Sequence, residues 1–78
     1  MFRISPIQCK MARAALGWGV RDLAQKANVS PDTVARFERG AALRERTIRL
    51  VHDAFATVGI EFIPHGVIVA PQRRRDPP

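Results

Sequence analysis

Two short amphipathic segments, joined by a turn of about three to four residues, constrain the fold of this 78-residue chain more than any other feature. The first spans about residues 20–27, and Asn28 after it tolerates the left-handed conformation that ends a helix. Ser30 is a favourable N-cap for the second segment, Pro31 suits its first position, and Gly40 ends it. The inward positions are apolar: Leu23, Ala24, Val29, Val34 and Phe37. We therefore predict two helices packed at a fixed angle, with a polar outer face on the second.

Helical spacing also appears on both sides of this pair. A first helix is predicted to begin at Ser5, an N-cap followed by Pro6, and to end at Gly17. A fourth helix is predicted over about residues 45–58, and Gly59 ends it. Cys9, Ala12 and Leu16 mark the buried face of the first helix. In the fourth helix, Ile48, Val51 and Phe55, with Thr47, Leu50, Ala54 and Val58, form a broad apolar stripe. The apolar stripe of the fourth helix is wider than one thin core requires.

The hydrophobic pattern changes after Gly59. Residues 60–63 and 67–69 are rich in β-branched side chains and are predicted to form two short strands. Pro64 suits the second position of a type I turn, and Gly66 suits the left-handed position of a three-residue hairpin loop. The predicted fold class is therefore mainly α, with four helices followed by a short C-terminal β-hairpin.

The charge balance indicates an anionic partner. Thirteen Lys and Arg oppose seven Asp and Glu, which gives a net charge of +6 at neutral pH. Arginine presents a planar group of donors that suits phosphates and guanine edges. This balance favours a nucleic acid, or less often a membrane surface, although small basic proteins of other functions share it.

Three features favour a cytoplasmic protein. Cys9 is the single cysteine, so no intrachain disulfide can form. No apolar run approaches the roughly 20 residues that cross a bilayer. The N-terminus lacks the apolar centre of a signal peptide. We expect no membrane association.

The stretch 20–40 has the layout of a helix-turn-helix. Over about residues 7–58 the chain resembles the lambda-repressor-like (Cro/repressor, XRE-type) family of helix-turn-helix transcriptional regulators. The matching residues are Leu23-Ala24, Val29-Ser30, Val34, Phe37-Glu38 and Gly40. The resemblance implies double-stranded DNA as the partner, with a recognition helix at about residues 31–39 lying in the major groove.

The resemblance also implies which residues contact DNA. They are Arg21, Ser30, Pro31, Asp32, Thr33, Arg36, Arg39, Arg44 and Arg46. Arg36 is expected to donate to guanine, and Thr33 to contact a thymine methyl group or a phosphate. Asp32 either accepts from cytosine or only strengthens the helix N-terminus. Each arginine is alternatively a solvated surface charge.

Other positions of the pattern differ from the family or carry structural roles. Gly19 and Val20 stand where the family often has Gln or Thr, and Val20 cannot make the side-chain hydrogen bond of a glutamine. In the family, an arginine of the first helix often pairs with the glutamate near the end of the third. The resemblance therefore implies that Arg13 and Glu38 form a partly buried pair that fixes the recognition helix.

We expect three segments: a helix-turn-helix domain over residues 1–59, a dimerisation hairpin over 60–70, and a disordered basic tail over 71–78. The hairpin residues expected to form a two-fold interface, helped by the outer part of the fourth helix, are Ile60, Phe62, Ile63, Val67, Ile68 and Val69. Such a dimer would bind an inverted repeat. Residues 73–75 of the tail either reach the minor groove or only add nonspecific attraction.

A second function class is a protein-interaction module, such as an antiactivator or antitoxin, that binds a regulatory protein through its apolar C-terminal edge. Cys9, His52 and His65 match no zinc spacing, so no metal site or cofactor is expected. No glycine-rich phosphate loop and no nucleophile with a credible base appears, so we expect no enzymatic activity.

Overall fold

The computed structural model describes residues 4–70 of the chain. Its helices and strands are α1 Pro6–Leu16, α2 Val20–Ala27, α3 Pro31–Glu38, α4 Glu45–Thr57, β1 Ile60–Ile63 and β2 Gly66–Val69. The predicted fold class, four helices and a C-terminal hairpin, is confirmed. The prediction for the basic tail, residues 71–78, lies outside the described residues.

The helix ends follow from local side-chain chemistry. The Ser5 and Ser30 hydroxyls each accept a hydrogen bond from the backbone N–H three residues ahead, and proline follows each serine. Gly17 and Asn28 adopt left-handed conformations, with φ of 71° and 60°, and end α1 and α2. The caps predicted at these four positions are confirmed.

The core lies where α1, α2, α3, α4 and β1 meet. Phe55 at its centre is fully buried, and the ring of Trp18 stacks on it with the centroids 5.7 Å apart. Phe62 of β1 meets the other side of Phe55 edge-on at 5.8 Å. The other buried apolar residues are Ile4, Cys9, Ala12, Leu23, Ala24, Ala27, Val34, Phe37, Val51 and Ile60. The aromatic row therefore joins the α1–α2 connection, α4 and the hairpin into one core.

The turn of the hairpin differs from the prediction. β1 and β2 are antiparallel, and Ile63 pairs with Gly66, so the loop is Pro64-His65 and has two residues instead of three. His65, with φ of 63°, is the left-handed residue, and Gly66 begins β2. Proline followed by a residue of positive φ is typical of a type II turn, so the predicted type I turn and three-residue loop are wrong. The shorter loop adds one strand pair.

The hairpin packs on the helices through one face. Ile60, Phe62 and Val67 belong to the core or pack against it. Gln8 of α1 fixes the turn of the hairpin, because its side-chain amide donates to the Ile63 carbonyl at 2.6 Å and to the Gly66 carbonyl at 3.0 Å. The hairpin therefore shares the core of the helices.

Candidate nucleic-acid interface

The outer face of α3 brings six of the predicted DNA-contacting residues together. They lie on the helix, at its N-cap or at its C-cap: Ser30, Pro31, Asp32, Thr33, Arg36 and Arg39. All are exposed except Thr33, which is half-buried. The opposite face carries Val34 and Phe37, which are buried in the core. The alternation of apolar and polar positions along α3 thus gives a helix that is fixed on one side and open to a partner on the other.

Hydrogen bonds order the start of α3. The Ser30 hydroxyl accepts from the Thr33 backbone N–H at 3.1 Å and lies 2.9 Å from the Thr33 hydroxyl. In the same turn, the Asp32 carboxylate lies 3.6 Å from the guanidinium of Arg36, which is one turn further along the helix. The Ser30–Thr33 contacts fix the start of α3, whereas the Asp32–Arg36 pair is an exposed and weak interaction.

Arg21, Arg44 and Arg46 lie on other elements. Arg21 is in the first turn of α2, Arg44 is the N-cap of α4, and Arg46 lies in the first turn of α4. All three side chains are exposed, and none of them forms an ion pair within residues 4–70. The guanidinium groups of these three residues can therefore bind an anion next to α3.

A buried ion pair fixes the end of α3. Arg13 of α1 donates from two of its nitrogens to the two carboxylate oxygens of Glu38, both at 2.7 Å, and from a third to the Trp18 carbonyl at 3.0 Å. The Glu38 side chain is 6 % exposed and that of Arg13 is 19 % exposed. The pair that the resemblance implied is confirmed, and it also holds the α1–α2 connection.

The thiol of Cys9 adds a third group to this pair. It donates to Glu38 Oε2 at 3.1 Å and is fully buried. Burial alone would raise the pKa of Glu38, but the hydrogen bonds from Arg13 and Cys9 hold that pKa below its ordinary value. Burial and the Glu38 contact raise the pKa of Cys9. The predicted core position of Cys9 is confirmed, whereas its hydrogen bond was not predicted.

The sequence that forms these helices matches a known protein family. The family model described as a helix-turn-helix domain matches residues 8–61, more than two thirds of the chain. This chain belongs to the helix-turn-helix domain family. A comparison with curated proteins found no match. The matched residues include all of α2, α3 and α4 and the residues that form the buried pair at the end of α3.

Sequence reasoning missed one residue that positions an element of this helix-turn-helix domain. Gln8 reciprocates the Ser5 cap, since its side-chain oxygen accepts from the Ser5 backbone N–H at 2.9 Å, while its amide holds the hairpin. The spacing Ser5-x-x-Gln8 is that of a capping box, so the sequence carried the signal for the first of these roles.

The six hairpin residues predicted to form a dimer interface divide into two groups by their exposure. Ile63, Ile68 and Val69 are exposed, with relative exposures of 39 %, 45 % and 43 %. Ile60 is buried, and Phe62 and Val67 are half-buried and pack against the core. The first group therefore presents apolar surface to solvent, whereas the second group stabilises the single chain.

Other kinds of site have no counterpart among residues 4–70. None of the four helices there has the length and apolar character needed to cross a bilayer. In the same residues no three side chains of His, Cys, Asp or Glu come together as metal ligands would. The absence of a metal and of enzymatic activity remain predictions.

Proposed function

We propose that this protein is a DNA-binding transcriptional regulator of the lambda-repressor-like (XRE-type) class. The observation that carries the proposal is the exposed polar face of α3 on a helix whose other side is fixed by buried residues. A helix of this kind, preceded by a short helix and a tight turn, fits the major groove of B-DNA. α3 is the recognition helix in this proposal.

The contacts on DNA divide into two kinds. Arg36 and Thr33, which point from the middle and the start of α3, contact base edges. Arg21, Arg39, Arg44 and Arg46 bind phosphates. Ser30 and Pro31 lie at the N-terminus of α3, where backbone N–H groups approach the phosphate backbone. The net charge of +6 supports this division, because phosphate contacts supply most of the nonspecific affinity.

The regulator acts as a homodimer on an inverted-repeat operator. Three exposed apolar side chains of the hairpin, Ile63, Ile68 and Val69, support a two-fold interface there. Leu50 of α4 is also exposed, at 41 %. Half-sites about one helical turn apart, ~34 Å, would match such a dimer. The regulator works in the cytoplasm, on the nucleoid.

Binding to DNA from upstream of the protein's own gene tests the proposal. The measurement is a competition assay at near-physiological salt with excess mixed-sequence DNA, followed by footprinting. A discrete complex that resists competitor supports the proposal. Arg36→Ala should weaken this complex by about tenfold or more, whereas Lys10→Ala removes a charge from α1 and should change affinity far less. Diffuse, salt-sensitive binding alone would contradict sequence-specific regulation.

Sedimentation of the purified protein tests the dimer separately. We expect a dimer at micromolar concentration and a monomer after Ile68→Asp. Ala14→Asp is the control, because Ala14 is exposed on α1 and lies away from the hairpin residues. A wild-type monomer under these conditions would remove the hairpin interface from the proposal.

The second candidate is a protein-interaction module, and a specific groove favours it. Apolar residues before and within α1, in β1 and in the hairpin turn line this groove: Ile4, Ile7, Met11, Phe62, Ile63 and Pro64. A protein that works through the groove keeps its partner after Arg36→Ala, whereas a DNA-binding regulator loses its operator. The same variant therefore separates the two candidates.

A further inference from the structure

The outer edge of β2 presents unpaired backbone groups. The Ala70 N–H donates to the Gly59 carbonyl at 2.8 Å, which is a hydrogen bond between the two strand ends. Hydrogen-bonded and non-hydrogen-bonded pairs alternate along antiparallel strands, so Val67 and Val69 belong to non-hydrogen-bonded pairs. Their N–H and C=O groups therefore point away from β1, and no other strand within residues 4–70 pairs with them.

The side chains of β2 do not protect this edge. Proteins commonly prevent edge pairing with charged side chains or proline, whereas Val67, Ile68 and Val69 are uncharged and β-branched. Val69 lies on the inner face of the sheet, opposite the buried Ile60, and is nevertheless 43 % exposed. The apolar inner face of the sheet thus continues to the edge of β2 and ends there in solvent.

A second copy of β2 fits this edge in the antiparallel direction. When Val67 of one copy faces Val69 of the other, the two residues exchange both of their backbone hydrogen bonds. Two-fold symmetry repeats this exchange at the other Val67–Val69 pair. Ile68 then faces Ile68 of the second copy on the axis, as a non-hydrogen-bonded pair with the Cα atoms about 4.5 Å apart. These side chains, which are 45 % exposed in the single chain, cover each other.

The edge of β1 does not suit a second copy. The same alternation directs the backbone groups of Ile60 and Phe62 away from β2, so a two-fold pairing of β1 would place Glu61 opposite Glu61. Like charges directly opposite each other destabilise a strand pair. When β2 pairs instead, the two Glu61 residues lie on the outermost strands, about 14 Å apart. Charge therefore favours self-association through β2.

We propose that two copies of this chain pair through the outer edges of β2 and form one four-stranded antiparallel sheet, with Ile68 on the two-fold axis. The inference rests on the proposed homodimer and deepens it, because it names the strand, the register and the main-chain hydrogen bonds of the contact. The strand order is β1-β2-β2-β1, and the apolar inner face runs without interruption from one core to the other.

A cysteine on the axis tests the register. Ile68→Cys should form an interchain disulfide under mild oxidation, because a Cα separation of about 4.5 Å lies within the range that a disulfide spans. Glu61→Cys is the matched control, since Glu61 is exposed on the same face of the hairpin but lies about 14 Å from its symmetry mate. Ile68→Cys should cross-link about tenfold faster or more. The wild-type chain, whose Cys9 is fully buried, should not cross-link.

A proline at Val69 tests the main-chain hydrogen bonds. Val69→Pro removes an N–H that points outward, so the hydrogen bonds between β1 and β2 remain and no charge is added. The dissociation constant of the dimer should rise about tenfold or more. Val69→Thr keeps the N–H and nearly the same side-chain shape, so its dissociation constant should rise less. Circular dichroism of both variants checks that the chain remains folded.

The outcomes separate this pairing from the proposed function. A wild-type dimer in which Ile68→Cys cross-links no faster than Glu61→Cys would overturn the pairing and leave the dimer and DNA binding in place. A wild-type monomer would overturn the pairing together with the dimer, whereas the competition assay still decides DNA binding. Protection of the Val67 and Val69 amides from hydrogen exchange in such a monomer would assign the edge to another segment of the chain.

Discussion

The end of α3 and the tip of the hairpin are both anchored to α1, but by different chemistry. Glu38 at the end of α3 is held by the charged side chain of Arg13, and three hydrogen bonds from Arg13 and Cys9 reach its carboxylate. The hairpin tip is held by Gln8, a neutral amide that donates to two backbone carbonyls. The neutral anchor and the charged anchor are thus five positions apart on one helix.

The two anchors predict different losses of stability when the anchoring side chain is removed. A buried carboxylate that loses its cation is an uncompensated charge, which is far more costly than an unpaired carbonyl. Loss of the charged anchor should therefore strongly destabilise the attachment of α3, the proposed recognition helix. The neutral anchor has a smaller effect, and the apolar residues of the hairpin retain part of its packing when the amide is lost.

Removal of the cation should have the largest effect. Arg13→Met keeps much of the apolar stem but leaves Glu38 buried without its partner, so the free energy of unfolding should fall by about 3 kcal/mol. Urea denaturation at neutral pH measures the change. Arg39→Met is the control, because Arg39 is exposed and should change stability by less than about 0.5 kcal/mol. Equal effects of the two variants would contradict a buried charged anchor.

Removal of the neutral anchor should have a smaller effect. Gln8→Ala deprives the Ile63 and Gly66 carbonyls and the Ser5 N–H of a partner, so stability should fall by about 2 kcal/mol. Gln25→Ala on the exposed face of α2 is the control and should be nearly neutral. Hydrogen exchange at the hairpin amides should increase more than at α3. A uniform increase would show that Gln8 does not act locally.

Acid should weaken the charged anchor more gently than substitution does. The folded-state pKa of Glu38 lies below its ordinary value of 4.5, so the unfolded chain binds this proton first as the pH falls. The contribution of Glu38 is present above about pH 4.5 and is lost as the pH falls through the lower, folded-state pKa. Urea denaturation between pH 3 and 7 should show a shallower acid slope for Glu38→Gln than for the wild type. Identical slopes would contradict the shift.

The smallest predicted effect concerns the turn of the hairpin. His65→Gly relieves a left-handed conformation, with φ of 63°, but increases the entropy of the unfolded chain. The two effects oppose each other, so stability should rise by no more than about 1 kcal/mol. Ala14→Gly in the exposed face of α1 should lower stability by a similar amount. A clear loss of stability in His65→Gly would argue against this turn.

The parts of the fold that the sequence predicted depend on local chemistry. Ser5, Asn28 and Ser30 act on backbone groups within a few residues, so their types alone located the helix ends. The prediction of the turn type was wrong because Pro64 suits both type I and type II turns. The choice between the two types depends on how the strands pair. The Gln8 contacts join residues 55 and 58 positions apart, for which a short window carries no signal.

The sequence predicted some parts of the candidate site from helical periodicity and others only through the family resemblance. The polar outer face of α3 followed from helical periodicity, and the exposure of Arg36 and Arg39 agrees with it. The Arg13–Glu38 pair came from the family resemblance, because spacing alone does not bring two distant charges together. The different contacts of Asp22 and Asp32 needed the structure, since both are acidic residues in the first turn of a helix. Asp22 accepts a hydrogen bond from the Gly19 backbone N–H, whereas Asp32 lies beside Arg36.

The burial of Cys9 makes this chain its own unfolding reporter. It is the single sulfhydryl of the sequence and is fully shielded in the native state. A maleimide or disulfide reagent in solution can therefore modify the chain only during transient opening events. Under conditions where reclosing is fast, the labelling rate divided by the rate for the exposed thiol of the unfolded chain gives the population of opened molecules.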